Sequence, residues 1–412
     1  MRQQAYRTHT LANGMVLVAE PMVGLESAAF SFMIPAGTIY EQPSQLGTSS
    51  LMCDMLLRGC GSRDSRQFLA DLEILGVQRG ESVTSAHVSF GGATVAENLE
   101  PTLEIYADLL RRPHLNPDHL PAAQQVILQE LRAIEDDPGH KTMLELRRRH
   151  YPDPWGRNSE GSIPTIEAAS MAQVKKHFQS YLRPNGAILG VAGKIDWPQL
   201  LEQVERLFGD WQPMPEPTIA LGATEPPQQH VTQDSAQTQI GLAYNSVPFR
   251  HPDYITASGA VGVLSGGMSA RLFTEVREKR GLCYSVYASY HTHRDRACVI
   301  CYAGTTAERA QETLDVILHE LKRLPGTVLE EELERLRARV KSGLIMQQES
   351  SGSRAGSLAR EWYHLGRVRT LEEIGAQVDA LTAAGINKYL VEHPPQSFTA
   401  VTLGREPLQM PA

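Results

Sequence analysis

The sequence predicts an α+β protein of two homologous domains, each built on a mixed, mostly antiparallel sheet with helices packed on one face. A chain of 412 residues exceeds a typical single domain and suits two domains of about 200 residues each. Two segments recur at a nearly constant offset, which indicates an internal duplication. Predicted strands are grouped beside helices without a strict βαβ alternation, which favours antiparallel or mixed sheets.

The duplication is visible in two pairs of segments. Thr94–Glu97 matches Thr305–Glu308 at an offset of 211 residues, and Glu167–Lys176 matches Asp379–Lys388 at an offset of 212. Amphipathic helices often resemble one another by chance, but two matches at almost the same offset favour a duplicated domain.

A proline-rich stretch lies between the two copies and includes Pro213, Pro215 and Pro217. Such a composition is typical of an extended linker. We therefore predict a first domain over residues 1–211, a linker over residues 212–229 and a second domain over residues 230–412.

Each copy follows the same order of predicted elements. It begins with a strand, continues with a helix, a second strand and a long helix, and closes with further helices and a last strand. The strands and long helices of the first copy are Ser27–Ile34, His87–Val95, Leu99–Leu110 and Ala187–Gly193; those of the second are Gln239–Tyr244, Cys298–Ala303, Ala307–Leu324 and Phe398–Gly404.

Composition argues against several classes of partner and compartment. The net charge of −8 argues against nucleic acid or an anionic membrane as the main partner. No apolar run approaches the ~18 residues of a membrane span. An odd number of cysteines, five, makes a disulfide framework improbable and favours a reducing compartment. Only a few residues precede the first predicted strand, so no signal peptide is expected and we predict a cytoplasmic location.

One stretch of the second copy places two polar side chains close together. After a turn at Gly266-Gly267, with Ser269 as a predicted N-cap, apolar residues at helical spacing predict a helix that ends at Gly281. The residues that follow alternate like a strand. Arg277 would then leave the last helical turn and Tyr284 would open the strand, so the two side chains can converge.

This stretch, LFTEVREKRGLCYSVYASY, resembles the arginine/tyrosine segment of the insulinase/pitrilysin family of zinc peptidases. That family places an Arg and a Tyr seven residues apart in the half of a clam-shell that lacks the metal. Arg277 and Tyr284 match both residue types and the spacing. The resemblance covers nearly the whole chain and implies that this chain forms one half of such a clam-shell.

The resemblance also locates the place of the family's zinc motif, H-x-x-E-H, in residues 46–60, and the motif is missing there. Two histidines four apart on a helix chelate zinc, and the glutamate beside them activates the bound water. In this chain the three motif positions are Ser50, Cys53 and Asp54, whereas the family's third ligand is kept as Glu130, 76 residues after Asp54.

The degenerate positions leave two alternatives open. A thiolate and two carboxylates can bind zinc, but a serine is a poor ligand and the general base would still be absent. The simpler interpretation is that these are now structural helix positions. We therefore expect no metal in this chain.

The resemblance implies the metal-free subunit of a heterodimeric zinc peptidase, inactive alone. Its partner would be a homologous subunit that carries H-x-x-E-H and the zinc. The partner would supply the attacking hydroxide, while Arg277 and Tyr284 would bind the peptide substrate and stabilise the tetrahedral oxyanion. The alternative is an inactive peptide-binding or structural core subunit, and a peptidase active by itself ranks third.

Two other constellations are weaker. His291-x-His293 with Cys298-x-x-Cys301 suggests a metal site, but cysteines three apart on a strand point to opposite faces, so a hairpin with surface histidines is the better prediction. Cys283 lies near Arg277 in sequence, which would favour a reactive thiol if the charge lowered its pKa.

Overall fold

The computed structural model describes residues 5–410 and contains two compact units. Unit 1 comprises the chain up to Ala133, with Asp153–Gly222 and Met346–Val368. Unit 2 comprises Ile134–Pro152, Ala223–Ile345 and the chain from Arg369 onward.

Within residues 5–410 the chain forms thirteen strands and fourteen α-helices. The strands are β1 Arg7–Thr10, β2 Val16–Pro21, β3 Ser27–Ile34, β4 Gly59–Cys60, β5 Arg63–Asp64, β6 Gln78–Val83, β7 Val88–Val95, β8 Ile188–Gly193, β9 Gln228–Thr232, β10 Gln237–Ser246, β11 Cys283–Thr292, β12 Ala297–Thr306 and β13 Thr399–Gly404. The helices are α1 Thr48–Leu56, α2 Ser65–Ile74, α3 Leu99–Arg111, α4 Leu120–Glu135, α5 Pro138–His150, α6 Ile163–Glu167, α7 Met171–Tyr181, α8 Trp197–Phe208, α9 Tyr254–Ser265, α10 Ala310–Arg323, α11 Glu330–Gln347, α12 Ser351–Leu365, α13 Leu371–Asp379 and α14 Ala383–Glu392.

Unit 1 is built on a six-stranded sheet in the order β1-β2-β8-β3-β7-β6. All of its neighbouring strands run antiparallel except β2 and β8. On one face Phe30 and Phe32 of β3 pack against Tyr106 of α3, and Phe32 also contacts Phe208 of α8. Burial of these aromatic side chains contributes to the stability of the core on this face.

The other face of the unit 1 sheet is covered by α12. Val18 and Ala29 share a buried apolar cluster with Leu358 and Ala359 of this helix. The helix approaches so closely that a Cβ atom on Gly190 would lie 2.3 Å from the Ala355 carbonyl oxygen. Glycine at this position therefore permits the contact between helix and sheet.

Unit 2 repeats the same design. Its five-stranded sheet has the order β11-β12-β10-β13-β9, which matches β6-β7-β3-β8-β2 of unit 1 strand for strand, including the parallel pair. In both units the strand β7 or β12 leads through a short 3₁₀ turn, Ala96–Asn98 or Ala307–Arg309, into the long helix α3 or α10. The α+β class and the two sheet-bearing halves predicted from the sequence are confirmed.

The two units exchange one helical segment each. The segment containing α12, from the second half of the sequence, belongs to unit 1, and the segment containing α5, from the first half, belongs to unit 2 and packs on β10 and β13. The chain from Trp211 to Pro227 forms no helix or strand. The domain boundaries predicted from the sequence, with a linker at residues 212–229, stay a prediction. The structure adds that α5 and α12 each belong to the unit formed mainly by the other half of the sequence.

Candidate functional site

The segment that contains Arg277 ends a helix of unusual geometry. The predicted cap Ser269 lies exposed and the helix begins two residues later, at Arg271. From Phe273 to Glu278 the backbone is a π-helix, with the N–H of Lys279 donating to the carbonyl of Thr274 at 2.9 Å. Single π turns of this kind often occur at functional sites.

Gly281 reverses the chain between the helix and β11, as the sequence predicts. Its φ of +60° lies in the left-handed region that only glycine adopts without strain. Its N–H donates to the carbonyl of Arg277 at 2.9 Å, and the N–H of Leu282 donates to that of Val276 at 3.0 Å. These bonds fix the direction in which β11 leaves the turn.

Tyr284 is the extra residue of a β-bulge in this edge strand. Cys283 pairs with Thr305 and Ser285 pairs with Gly304, so Tyr284 has no partner on β12. A bulge bends the strand and changes the direction of the side chain that it carries. The side chain of Tyr284 is accordingly 81% exposed, although the residue before it is buried.

The structure brings Arg277 and Tyr284 together. The guanidinium carbon of Arg277 lies 4.8 Å from the ring centre of Tyr284 and 4.8 Å from that of Phe273, a cation–π arrangement that sequence analysis did not anticipate for Phe273. The only sequence signal for Phe273 is its position four residues before Arg277 on a helix.

The two polar groups of this pair are uncommitted. Within residues 5–410 neither the Arg277 guanidinium nor the Tyr284 hydroxyl has a hydrogen bond or an ion pair. The nearby carboxylate of Glu275 pairs instead with Lys279 at 2.7 Å and Arg280 at 2.9 Å. Hydrogen bonds from these two cations lower the pKa of Glu275. The donors of the Arg277 guanidinium thus have no acceptor among the described residues.

The reactive thiol proposed for Cys283 is not supported. The side chain is buried, and burial raises its pKa to about 11 although the charge of Arg277 acts in the opposite direction. A thiol with this pKa is almost fully protonated at neutral pH, which leaves it a weak nucleophile.

In unit 1 the degenerate zinc positions lie on α1 and its neighbours, and their side chains are engaged in other contacts. Ser50 donates to the carbonyl of Ser159 at 2.7 Å, and Asp54 forms an ion pair with Arg58 one turn later. Burial raises the pKa of the Cys53 thiol, and nearby carboxylates raise it further. The serine and aspartate are thus held by protein partners.

Glu130 keeps a place beside these residues. Its pKa is raised by burial and by the negative charges of Glu160 and Asp54, and Glu130 in turn raises the pKa of Cys53. Among the residues that the structure describes, no group of three or more His, Cys, Asp or Glu side chains is arranged to hold a metal ion. The donor set does not fit zinc, because a serine is a poor ligand and the aspartate is already ion-paired with Arg58.

The N-terminus of α1 is held by a buried carboxyl group. Glu41 accepts the N–H of Gly47 at 3.0 Å and that of Ser49 at 2.7 Å. Burial nevertheless raises the pKa of Glu41 to about 7. We therefore expect the stability of this helix start to depend on pH.

The histidine–cysteine constellation of unit 2 is a hairpin, as predicted, but His291 is only partly exposed. Tyr151, which follows α5, hydrogen-bonds to the Nδ1 of His291 at 2.9 Å and to the Sγ of Cys298 at 3.1 Å. Burial, with Arg147 and His150 nearby, lowers the pKa of His291 to about 4. The prediction of surface histidines did not include the contact of His291 with Tyr151, which comes from a distant part of the sequence.

Two family models match the chain. The model described as insulinase, peptidase family M16, matches residues 18–153, and the model described as the peptidase M16 inactive domain matches residues 168–340. The first therefore includes α1, and the second includes Arg277 and Tyr284. In the part of the chain that the structure describes, no helix has the length and apolar character needed to cross a membrane.

Individual proteins show the same similarity over nearly their whole length. An uncharacterized zinc protease of Rickettsia bellii is 23% identical over 386 residues, which are 93% of this chain and 94% of the relative. The crystal structure of a peptidase M16 inactive domain from Pseudomonas fluorescens has a TM-score of 0.87 at 22% identity, and the match covers 99% of both chains. A chain of complex III from Candida albicans has a TM-score of 0.82 at 16% identity and covers 97% of this chain and 96% of its own. At these identities the solved structures establish a shared fold.

Proposed function

This chain belongs to the insulinase family of peptidases, M16, and from this premise we propose that it is the metal-free subunit of a two-subunit zinc peptidase. The partner would be a homologous subunit that carries H-x-x-E-H and the zinc. The substrates would be peptides, and the location would be cytoplasmic. The observation that carries the proposal is the uncommitted Arg277–Tyr284 pair beside the exposed edge of β11.

The chemistry of the pair supports a role at a peptide carbonyl. An exposed phenol with no partner in the described residues can donate its O–H to the oxygen that becomes negatively charged in the tetrahedral intermediate. A guanidinium presents several donors in one plane and accepts a carbonyl or carboxylate oxygen without rearrangement. Stacking between the two side chains restricts the motion of both, which lowers the entropic cost of placing them on a substrate.

The state of α1 supports the division of roles between two chains. With Ser50 donating to a backbone carbonyl and Asp54 paired with Arg58, this chain lacks both a zinc ligand set and a general base at the family's motif. It would therefore contribute binding and charge stabilisation, while bond cleavage would need the metal of the partner. When bound there, zinc would supply the activated water.

The alternative is a peptide-binding or structural core subunit without any part in catalysis. The fold shared with a chain of Candida albicans complex III makes this a concrete second candidate. The two candidates differ in one requirement: only a peptidase subunit needs the hydroxyl of Tyr284.

The decisive experiment measures cleavage of a quenched fluorescent peptide by this chain, by a homologous H-x-x-E-H chain from the same genome, and by their mixture. We expect activity in the mixture alone and co-elution of the two chains in gel filtration. Co-elution without activity would favour the scaffold, and activity of this chain alone would refute the division of roles.

A further inference from the structure

Arg147 lies in the last turn of α5, within unit 2, and its guanidinium has no counter-ion in the described part of the chain. The two arginines that follow it, Arg148 and Arg149, both form ion pairs with Glu145. The Nε of Arg147 is buried and has no hydrogen-bond partner among the described residues, and neither Nη atom has one there. A buried donor without an acceptor costs free energy and is rare in folded proteins, so its presence needs an explanation.

The helix dipole explains only part of this arrangement. The C-terminal end of a helix favours positive charge, which accounts for an arginine in the last turn of α5. A long arginine side chain usually carries its charged head into water, where it needs no acceptor from the protein. Arg148 is exposed in this way, whereas Arg147 is half-buried. The position of the Arg147 guanidinium is therefore not explained by the helix alone.

The Arg147 side chain lies beside the hairpin of β11 and β12. Burial and, after it, the positive charge of Arg147 lower the pKa of His291 to about 4. Burial raises the pKa of the Tyr287 phenol, while the charge of Arg147 acts in the opposite direction. Both residues lie on β11, opposite Cys298 and Tyr302 of β12. Phenols, thiols and neutral imidazoles carry no negative charge at neutral pH, so these neighbours do not balance the charge of Arg147.

The face of β11 that Arg147 approaches is open at the edge of the sheet. Residues two apart on a strand share a face, so Ser285 and Ser289 lie on the same face as His291, and both serines are exposed. On this face α5 packs on β10 and β13, further from the edge. β11 is the last strand of the sheet, so its outer N–H and C=O groups pair with no other strand in the described residues. An extended peptide can add to such an edge and place alternate side chains on this face.

We propose that Arg147 binds a carboxylate group of an extended peptide that lies along the edge of β11. This role rests on the proposed function, which brings a peptide to Arg277 and Tyr284 at the start of the same strand. Without another partner among the described residues, the Arg147 guanidinium can offer two parallel N–H donors to the two oxygens of a carboxylate. One of these oxygens would also supply the acceptor that the buried Nε lacks.

The strand sets the distance between this carboxylate and the bond to be cleaved. Tyr287 and His291 are three and seven residues beyond Tyr284 on β11. At about 3.3 Å per residue, they lie about 10 and 23 Å from it along the strand. A peptide extended alongside has nearly the same rise, so its carboxylate would lie about three to seven residues from the bond at Tyr284. The group is an acidic side chain or the C-terminal carboxylate of the peptide, because both present the same two oxygens.

The test measures peptide binding to the full chain alone, by fluorescence anisotropy at about 0.15 M salt, so it needs neither a partner nor cleavage. The probes are labelled peptides of about ten residues that share one neutral sequence. One has a central glutamine and a C-terminal amide, one replaces the glutamine with glutamate, and one keeps the glutamine and has a free C-terminus. The net charge of −8 would by itself disfavour the two peptides that carry a carboxylate, so tighter binding of either one is diagnostic.

We expect one of the carboxylate peptides to bind at least about tenfold more tightly than the neutral peptide, and the one that does so identifies the source of the carboxylate. Equal binding of all three peptides would overturn the proposal. No saturable binding of either carboxylate peptide up to about 1 mM would overturn it as well. Neither result would affect the division of catalysis between two chains, which is tested by cleavage in the mixture.

Variants of α5 identify the binding group. Arg147→Met removes the guanidinium and keeps an unbranched side chain, so it should reduce the preference for a carboxylate to within about twofold and leave thermal unfolding unchanged. The matched control is Arg148→Met, which makes the same change of charge one residue later, at a side chain that is 46% exposed and paired with Glu145. This control should keep the full preference. Arg147→Gln is a second uncharged variant in case methionine impairs folding. A preference that survives in a folded Arg147 variant, or that is lost equally in the control, would contradict the assignment.

Discussion

Replacing Tyr284 with phenylalanine in the active mixture should lower kcat by about 10²-fold, the usual effect of removing one oxyanion donor. The structure makes this substitution unusually clean. The Tyr284 hydroxyl has no hydrogen bond within residues 5–410 and the side chain is 81% exposed, so its loss should change the free energy of unfolding by no more than about 0.5 kcal/mol. The phenyl ring remains, and with it the stacking on Arg277 at 4.8 Å.

A loss confined to kcat would correspond to about 2.7 kcal/mol of transition-state stabilisation, since each factor of ten is 1.36 kcal/mol. The assay is steady-state cleavage of a fluorogenic peptide, with gel filtration to check assembly and metal analysis to check the zinc of the partner. Tyr287→Phe is the matched control, because Tyr287 lies on the same strand, is 39% exposed and has a hydroxyl without a hydrogen bond in the described residues. Its activity should stay within about twofold of the native mixture.

Full activity of the Tyr284→Phe mixture would refute the catalytic assignment and put the scaffold first. Replacement of Arg277 by alanine separates binding from catalysis in the same assay. A charged contact to the peptide acts in the ground state as well, so this variant should raise KM and also lower kcat at least as much. A change in KM alone would restrict Arg277 to substrate binding.

Three further predictions concern unit 1. The triple variant Ser50→His, Cys53→Glu and Asp54→His restores the H-x-x-E-H motif on α1. It should retain about one zinc per chain after dialysis more readily than it gains peptidase activity, because histidines four apart on α1 meet the retained Glu130. A folded variant without zinc would show that α1 is displaced from the position that the family's zinc helix takes. The pKa of Glu41 is about 7 in the folded protein and 4.5 for an unperturbed glutamate, so the folded protein binds a proton at Glu41 more tightly than the unfolded chain does. The protonated side chain therefore adds to stability fully below pH 4.5, and this contribution is lost as the pH rises through 7. Glutamine at position 41 does not titrate, so the free energy of unfolding of Glu41→Gln minus that of the native chain, measured with urea, should increase by up to about 3 kcal/mol between pH 4.5 and pH 8. A decrease over the same range would show that the carboxylate is ionised and stabilised by its N–H donors. A fragment of residues 1–229 lacks α12 and should aggregate. The same fragment with residues 346–368 joined by a flexible linker should aggregate less in gel filtration, although α5 still lacks its unit 2 sheet in both; equal aggregation of the two would refute a need for α12.

The sequence predicts the parts of this molecule that depend on local chemistry. The end of the helix at Gly281 follows from the need for a left-handed residue, and the start of β11 follows from alternation. The convergence of Arg277 and Tyr284 follows from these two facts and a spacing of seven residues. No contact distant in sequence is needed for any of them.

The remaining features depend on partners that lie far away in sequence. Amphipathic periodicity in α12 shows that the helix has an apolar face, but it cannot show that this face covers the sheet of unit 1. The bulge at Tyr284 is defined by its register against β12, and the burial of His291 is defined by Tyr151. The π-helix cannot be predicted from the sequence either, because one added residue in a turn changes the backbone hydrogen bonds but hardly changes the spacing of the apolar residues.

The duplication supplies an internal comparison for the arginine/tyrosine segment. In unit 1, α2 also ends at a left-handed glycine, Gly76 with φ of +64°, and leads into the edge strand β6. There the N–H of Val77 donates to the carbonyl of Leu72, five residues back, as in an ordinary Schellman turn. In unit 2 the corresponding bond from Leu282 spans six residues.

Unit 2 therefore has an added residue on each side of its turn, one in the π-helix and one in the bulge, whereas β6 pairs with β7 in unbroken register from Gln78 to Val83. Arg277 lies within the first irregularity and Tyr284 is the second. In unit 1 the arginine of the edge strand, Arg79, is already paired with Glu81. Backbone irregularities of this kind weaken regular hydrogen bonding and persist where they position a side chain. Both irregularities occur in the same copy and each carries one member of the pair, which supports the proposal that this segment positions the Arg277 and Tyr284 side chains.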